Sequence, residues 1–188
     1  MTIFDNAGTY ASRRISESQW SDRAFPSFSV PEQLFPDSFY SLMASHWPDD
    51  SDFTKMPDHR SKMHGFLLGS SMTLLPDRER KELPHISEKT ASFWKAFSDI
   101  CLEQYLFPSL MGKYDHLLKL RLGDNLDKVK CWWHVKLWNY YPGYETPAHT
   151  DAPCTLFNNI VYVPEQAGRE GCGLSLYQPK SLAYSDMG

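Results

Sequence analysis

A histidine and an aspartate separated by one residue, His149-Thr150-Asp151, are the side chains of this sequence best placed to do chemistry. On an extended backbone the side chains alternate with period two, so positions 149 and 151 project to the same side. A neutral imidazole and a carboxylate placed in this way can take adjacent corners of one octahedral metal. Mixed nitrogen and oxygen donors suit Fe(II), and a third ligand, usually a second His, completes a facial triad that leaves positions for substrate chemistry and O2. Taken alone the pattern is short, and a surface His beside an Asp turn produces it too. The elements around it decide its meaning.

Residues 129–141 alternate in the manner of a strand. Val129, Cys131, Trp133, Val135, Leu137 and Asn139 fall on one face, and Trp132, His134, Lys136, Trp138 and Tyr140 on the other. Aromatic residues on both faces predict a strand covered on both sides. Pro142-Gly143 then makes a turn, six residues before His149. Residues 156–163, dense in Ile, Val and Tyr, predict a second strand. A Gly-rich turn over 168–173 and a third short strand over 174–177 follow.

The positioning elements lie upstream. Residues 1–24 are polar and read as an irregular N-terminal arm. A short extended stretch over 25–30 precedes Pro31, which opens a helical pattern with Leu34, Phe39, Leu42 and Met43 near one face and Trp47-Pro48 at its end. Residues 49–60 read as a loop, and the apolar stretch 65–75 as a strand. Ser87 is the N-cap of the strongest helix, with Phe93, Trp94, Phe97, Ile100, Cys101 and Tyr105 at three- and four-residue steps. A shorter apolar segment over 111–122 ends at the Gly123-Asp124-Asn125 turn. Helices come first and strands follow without βαβ alternation. The expected class is therefore α+β, with helices packed on an antiparallel sheet in a single domain over 25–188.

This order of strand, Pro-Gly turn, His-x-Asp pair, β-rich run, Gly-rich turn and Leu174-Ser175-Leu176-Tyr177 resembles the jelly-roll core of the non-haem Fe(II)- and 2-oxoglutarate-dependent oxygenases. Upstream, Phe25-Pro26, the segment Phe35-Pro36-Asp37-Ser38-Phe39-Tyr40-Ser41-Leu42, Trp47-Pro48, and the helix beginning Phe93-Trp94-Lys95-Ala96-Phe97 look like the elements that precede this core. The resemblance covers roughly residues 25–180. It implies a helical support region over about 25–127 and an antiparallel double-stranded β-helix (jelly-roll) core, incomplete at the C-terminus, over about 128–188.

For function the resemblance implies Fe(II) held by His149 and Asp151, with 2-oxoglutarate as cosubstrate. Tyr140 matches the strand position whose aromatic side chain contacts 2-oxoglutarate, and Thr146 is a candidate for lining the same pocket. Asn139 points away from Tyr140 on an ideal strand and is the poorer candidate. The carboxylate at 151 argues for hydroxylation over halogenation, since related halogenases carry a small residue there. The family also uses a distal His followed by a basic residue, often an Arg that pairs with the far carboxylate of 2-oxoglutarate. No His follows Asp151, and the later basic residues are Arg169 and Lys180. The expectation is a fragment of a longer enzyme, inactive by itself. The alternative is a non-catalytic cupin-like binding module that keeps the pair as a relic.

Composition narrows the partners. A net charge of −4 supplies no basic field for nucleic acid. No apolar run approaches the roughly 20 residues of a membrane span. Cys101, Cys131, Cys154 and Cys172 form no CxxC pair, which favours reduced thiols and a cytoplasmic protein. Aromatics make up 14% of the chain, which favours a sheet-rich core. The substrate, whether small molecule or protein side chain, is not legible, because specificity lives in loops and pocket shape.

Overall fold

The structure is a computed structural model that describes residues 1–21, 26–30, 32–55, 63–70, 87–129, 134–141, 143–144 and 155–163, with backbone alone at 54–55, 63–70 and 134–135. Most of its regular structure is helical. Helix α1 spans Ile3–Glu17. Two short strands, β1 (Trp20–Ser21) and β2 (Ser27–Phe28), pair antiparallel after it. Helix α2 spans Asp37–Ser45, and a 3-10 turn over Asp50–Asp52 leads into β3 (Thr54–Lys55) and β4 (Met63–Ser70). Helical turns then run unbroken through α3 (Glu88–Ala96), a π segment (Phe97–Leu106), α4 (Phe107–Leu122) and a 3-10 turn (Gly123–Lys128). Strand β5 (His134–Tyr140) closes the series.

The N-terminal segment is not an irregular arm. Thr2 caps α1 through a reciprocal pair of bonds, its hydroxyl accepting from the Asp5 amide while the Asp5 carboxylate accepts from the Thr2 amide. Ala7, Ala11 and Ile15 recur at four-residue steps and are buried. Mean polarity concealed this helix because its buried stripe is made of small residues. They let α1 lie close against the π segment, where the Ser12 hydroxyl donates to the Tyr105 carbonyl at 3.2 Å and the Cys101 thiol donates to the Phe4 carbonyl at 3.1 Å. A Cβ at Gly8 would run into the base of the Tyr105 side chain. Gly8→Ala is therefore expected to lower stability by about 1–3 kcal/mol in urea unfolding, against the small gain that Ala gives in an open helix.

The Ser87 cap and the apolar face of the long helix are as expected. The Ser87 hydroxyl accepts from the Thr90 amide, and Phe93, Trp94, Phe97 and Cys101 are buried. These side chains meet Phe35, Phe39 and Met43 around α2, Ala7, Ala11 and Ile15 of α1, and Leu137 of β5 in one core. Helix α2 begins six residues after Pro31, capped at Pro36. The α4 segment ends where Gly123 takes a positive φ of 52°.

The expected jelly-roll core is absent among the described residues. The main sheet has three strands in the order β3-β4-β5, all antiparallel. The neighbour of β5 is thus β4, which precedes the long helix, with Met63 opposite Tyr140 and Ser70 opposite His134. Residues 156–163, expected as a strand, have no regular structure. Residues 155–159 lie against α4 instead: Phe157 stacks on Tyr114 at 4.4 Å, and the Arg121 guanidinium donates to the Thr155 carbonyl at 3.1 Å and the Leu156 carbonyl at 3.4 Å. A strand needs a ladder partner for those groups, and here a side chain of α4 occupies them. The expected strand over 174–177 lies outside the described residues.

Candidate functional site around the end of β5

The C-terminal end of β5 is the described part of the predicted site. Leu137 is buried, Asn139 and Tyr141 are half-buried, and all three share one face. Lys136 and Tyr140 on the other face are exposed. The strand is therefore covered by the helical core on one side, and the expected cover on its second side is missing among the described residues.

Tyr140 is 53% exposed. Its ring lies 5.0 Å from that of Tyr144, across the turn. Partial burial, then the neighbouring Tyr144 and Tyr162 phenols, hold its hydroxyl above the usual tyrosine range. It stays a neutral donor at physiological pH, able to give one hydrogen bond to an anionic or carbonyl oxygen. Thr146, His149 and Asp151 lie outside the described residues.

The inner face is tied down by a polar cluster. The Trp47 indole N–H donates to Asn139 Oδ1 at 3.0 Å, and Asn139 Nδ2 donates to Asp50 Oδ1 at 3.0 Å. The Tyr141 hydroxyl is bonded to the Asp50 carboxylate and to the Asn139 amide, and desolvation, then the adjacent Asp50, raise its pKa. Trp47 is placed in turn by the long helix. Its ring meets Trp94 edge-on at 5.7 Å, and the Trp94 indole donates to the His46 carbonyl at 2.6 Å. The parity argument correctly put Asn139 opposite Tyr140. It did not reveal that Asn139 joins three elements. The signal available was an amide on the same strand face as Leu137, where an unpaired polar group is costly.

The remaining histidines have packing roles where they are described. His46 is buried, stacks on Phe93 at 4.5 Å, and places Nδ1 2.9 Å from the Leu42 carbonyl and 3.0 Å from the Ser45 hydroxyl. The His116 ring stands edge-on to Trp20 at 5.2 Å. His134 sits on β5, as expected from the sequence, and His64 on β4 opposite Asn139. His59 and His85 lie outside the described residues. No group of three or more His, Cys, Asp or Glu side chains able to hold a metal ion occurs among the described residues. Among them, too, no helix is long and apolar enough to cross a membrane.

Cys101 is a free, fully buried thiol. Burial, then the nearby Asp5 carboxylate, push it up to about 12. At pH 8 it is protonated and enclosed, so it should resist iodoacetamide in the folded chain and react once guanidinium is added. Peptide mapping reads this directly, and rapid alkylation of Cys101 without denaturant would show that the α1 interface opens.

No protein-family model, curated protein or solved structure matches the chain.

Proposed function

We propose that this chain is part of a non-haem Fe(II)- and 2-oxoglutarate-dependent oxygenase of the hydroxylase type. The observation that supports the reading is the segment from Tyr140 to Asp151. An anchored strand ends in an accessible tyrosine, and after a Pro-Gly turn comes an imidazole and a carboxylate with period-two spacing. The donor chemistry fits two of the three protein ligands of an Fe(II) site. His149 and Asp151 would hold the metal, and Tyr140 and Thr146 would face the cosubstrate. Bound iron would supply the coupling of 2-oxoglutarate, O2 and a substrate C–H bond to succinate, CO2 and the hydroxylated product.

The chain's own residues have narrower tasks. His149 must present a neutral nitrogen, so protons and metal compete for it. Asp151 neutralises part of the metal charge. Tyr140, kept protonated, donates a hydrogen bond to a cosubstrate carboxylate. The buried free Cys101 is in keeping with a reducing, cytoplasmic setting, and the substrate is a small molecule or a protein side chain rather than nucleic acid.

The test is a Co(II) titration of the chain followed by visible absorption, with succinate release from 2-oxoglutarate under added Fe(II) as the second readout. Co(II) binding lost in both His149→Ala and Asp151→Ala supports the metal pair, and Fe(II)-dependent succinate release supports the activity. Unchanged binding in both variants refutes the reading. Pair-dependent binding without succinate release favours a non-catalytic metal-binding module instead.

A further inference from the structure

We infer that the stretch centred on Ile160 is a self-association site, at which two copies of this chain pair as antiparallel strands about a two-fold axis through that residue. The run Leu156-Phe157-Asn158-Asn159-Ile160-Val161-Tyr162-Val163 carries no charge, no Pro and no Gly. Its β-branched and aromatic residues favour a strand. The folded chain gives them no ladder. Residues 156–163 have no regular structure. Among the described residues, no backbone–backbone hydrogen bond holds residues 159–163.

The run is tethered on both sides of Ile160. Phe157 stacks on Tyr114, and Asn159 accepts from the Tyr114 hydroxyl at 3.4 Å. Val163 packs against the core. These odd-numbered positions turn toward the body, as period two on an extended path requires. Val161 follows them and is 41% exposed, whereas Ile160 and Tyr162 are 53% and 55% exposed. Tyr162 neighbours the exposed Tyr140, so the aromatic surface continues onto the outer face of β5. A tethered segment has less freedom to lose when it pairs.

Charge points to a second copy as the occupant. The chain carries a net charge of −4, so two copies repel each other over most of their surface. This run brings no charge into the contact. Exposed strands are commonly guarded by Lys or Pro, and neither stands here. A two-fold contact must be self-complementary. Pairing about residue 160 achieves that, with Ile160 against Ile160 and Asn159 opposite Val161.

The experiment is sedimentation velocity of the full chain at physiological salt, from low to high micromolar concentration. Wild type is expected to dimerise reversibly. Ile160→Lys and Ile160→Glu should each weaken dimerisation by about 10-fold or more, since each sets like charges opposite one another and removes an apolar contact. An equimolar mixture of the two variants should recover most of the loss, because opposite charges then meet. Leu120→Lys alters an apolar residue on α4 that is 80% exposed, and should dimerise as wild type does. Helical circular dichroism checks the fold of each variant. Should a charged variant unfold, Ile160→Cys decides the matter: oxidised by diamide, residue 160 should link to its own copy, and residue 120 in Leu120→Cys should not. A wild type that stays monomeric overturns the inference and leaves the run to a different partner. A dimer unchanged in Ile160→Lys, or a mixture that recovers nothing, overturns it too. Assemblies larger than a dimer that vanish in the charged variants overturn the closed two-fold pairing.

Discussion

Replacing His149 with alanine is expected to reduce Co(II) affinity by at least about 100-fold, beyond the range seen when an outer-shell partner is lost. The reason is the number of donors. A chelate of imidazole and carboxylate holds the metal through both ends, and removing either leaves a single carboxylate or imidazole that water displaces readily. Asp151→Asn should weaken binding less than Asp151→Ala, because an amide oxygen can still coordinate but without the charge. Any Fe(II)-dependent succinate release should fall to background in the His149 variant. A His149→Ala chain that binds Co(II) as tightly as wild type sinks the proposed pair outright.

Trp94→Ala is expected to be the most damaging core substitution, costing about 3–5 kcal/mol. Trp94 is 1% exposed and among the largest fully buried side chains. Its ring meets Phe93, Trp47 and Phe97 edge-on, at 5.1, 5.7 and 5.5 Å. Truncation removes these contacts together and strips the His46 carbonyl of its indole donor, a second penalty of about 1 kcal/mol or more. Against a typical total of about 5–15 kcal/mol this is a large share. Urea unfolding measures it, and Trp94→Phe separates the two parts by keeping a ring and losing the N–H. A midpoint change worth under about 1 kcal/mol would mean that the long helix is not held as described. Because Trp47 leans on Trp94, the variant should also loosen the bond from the Trp47 indole to Asn139.

Some parts of the site were readable along the chain. Alternation over 129–141 correctly indicated a strand, seen over His134–Tyr140, and its parity separated Tyr140 from Asn139. The meaning of the two faces was not readable. Tyr140 and Lys136 are exposed, although aromatic residues on both faces had suggested cover on both sides. Aromatic content reports a demand for contact area, and it does not say which neighbour meets it. Here Tyr140 meets Tyr144 locally and Trp138 lies under Lys136, 5.6 Å from the ammonium to the ring centre.

By itself the sequence determined whatever short-range chemistry controls: the Ser87 cap, the one-sided apolar face from Phe93 to Cys101, the end of α4 at Gly123, the alternation of β5, and the His-x-Asp spacing that opened the reading. Each depends on residues within a turn or two of one another. Only the tertiary structure decided that residues 3–17 form a packed helix, that β5 pairs with the earlier β4, and that residues 155–159 lie against α4 without becoming a strand. Those outcomes depend on which distant group takes a backbone hydrogen bond or fills a gap left by a small side chain. Gly8 makes room for Tyr105, and Arg121 takes the carbonyls that a neighbouring strand would otherwise have bonded. Such competition between distant partners leaves no periodic trace in the chain.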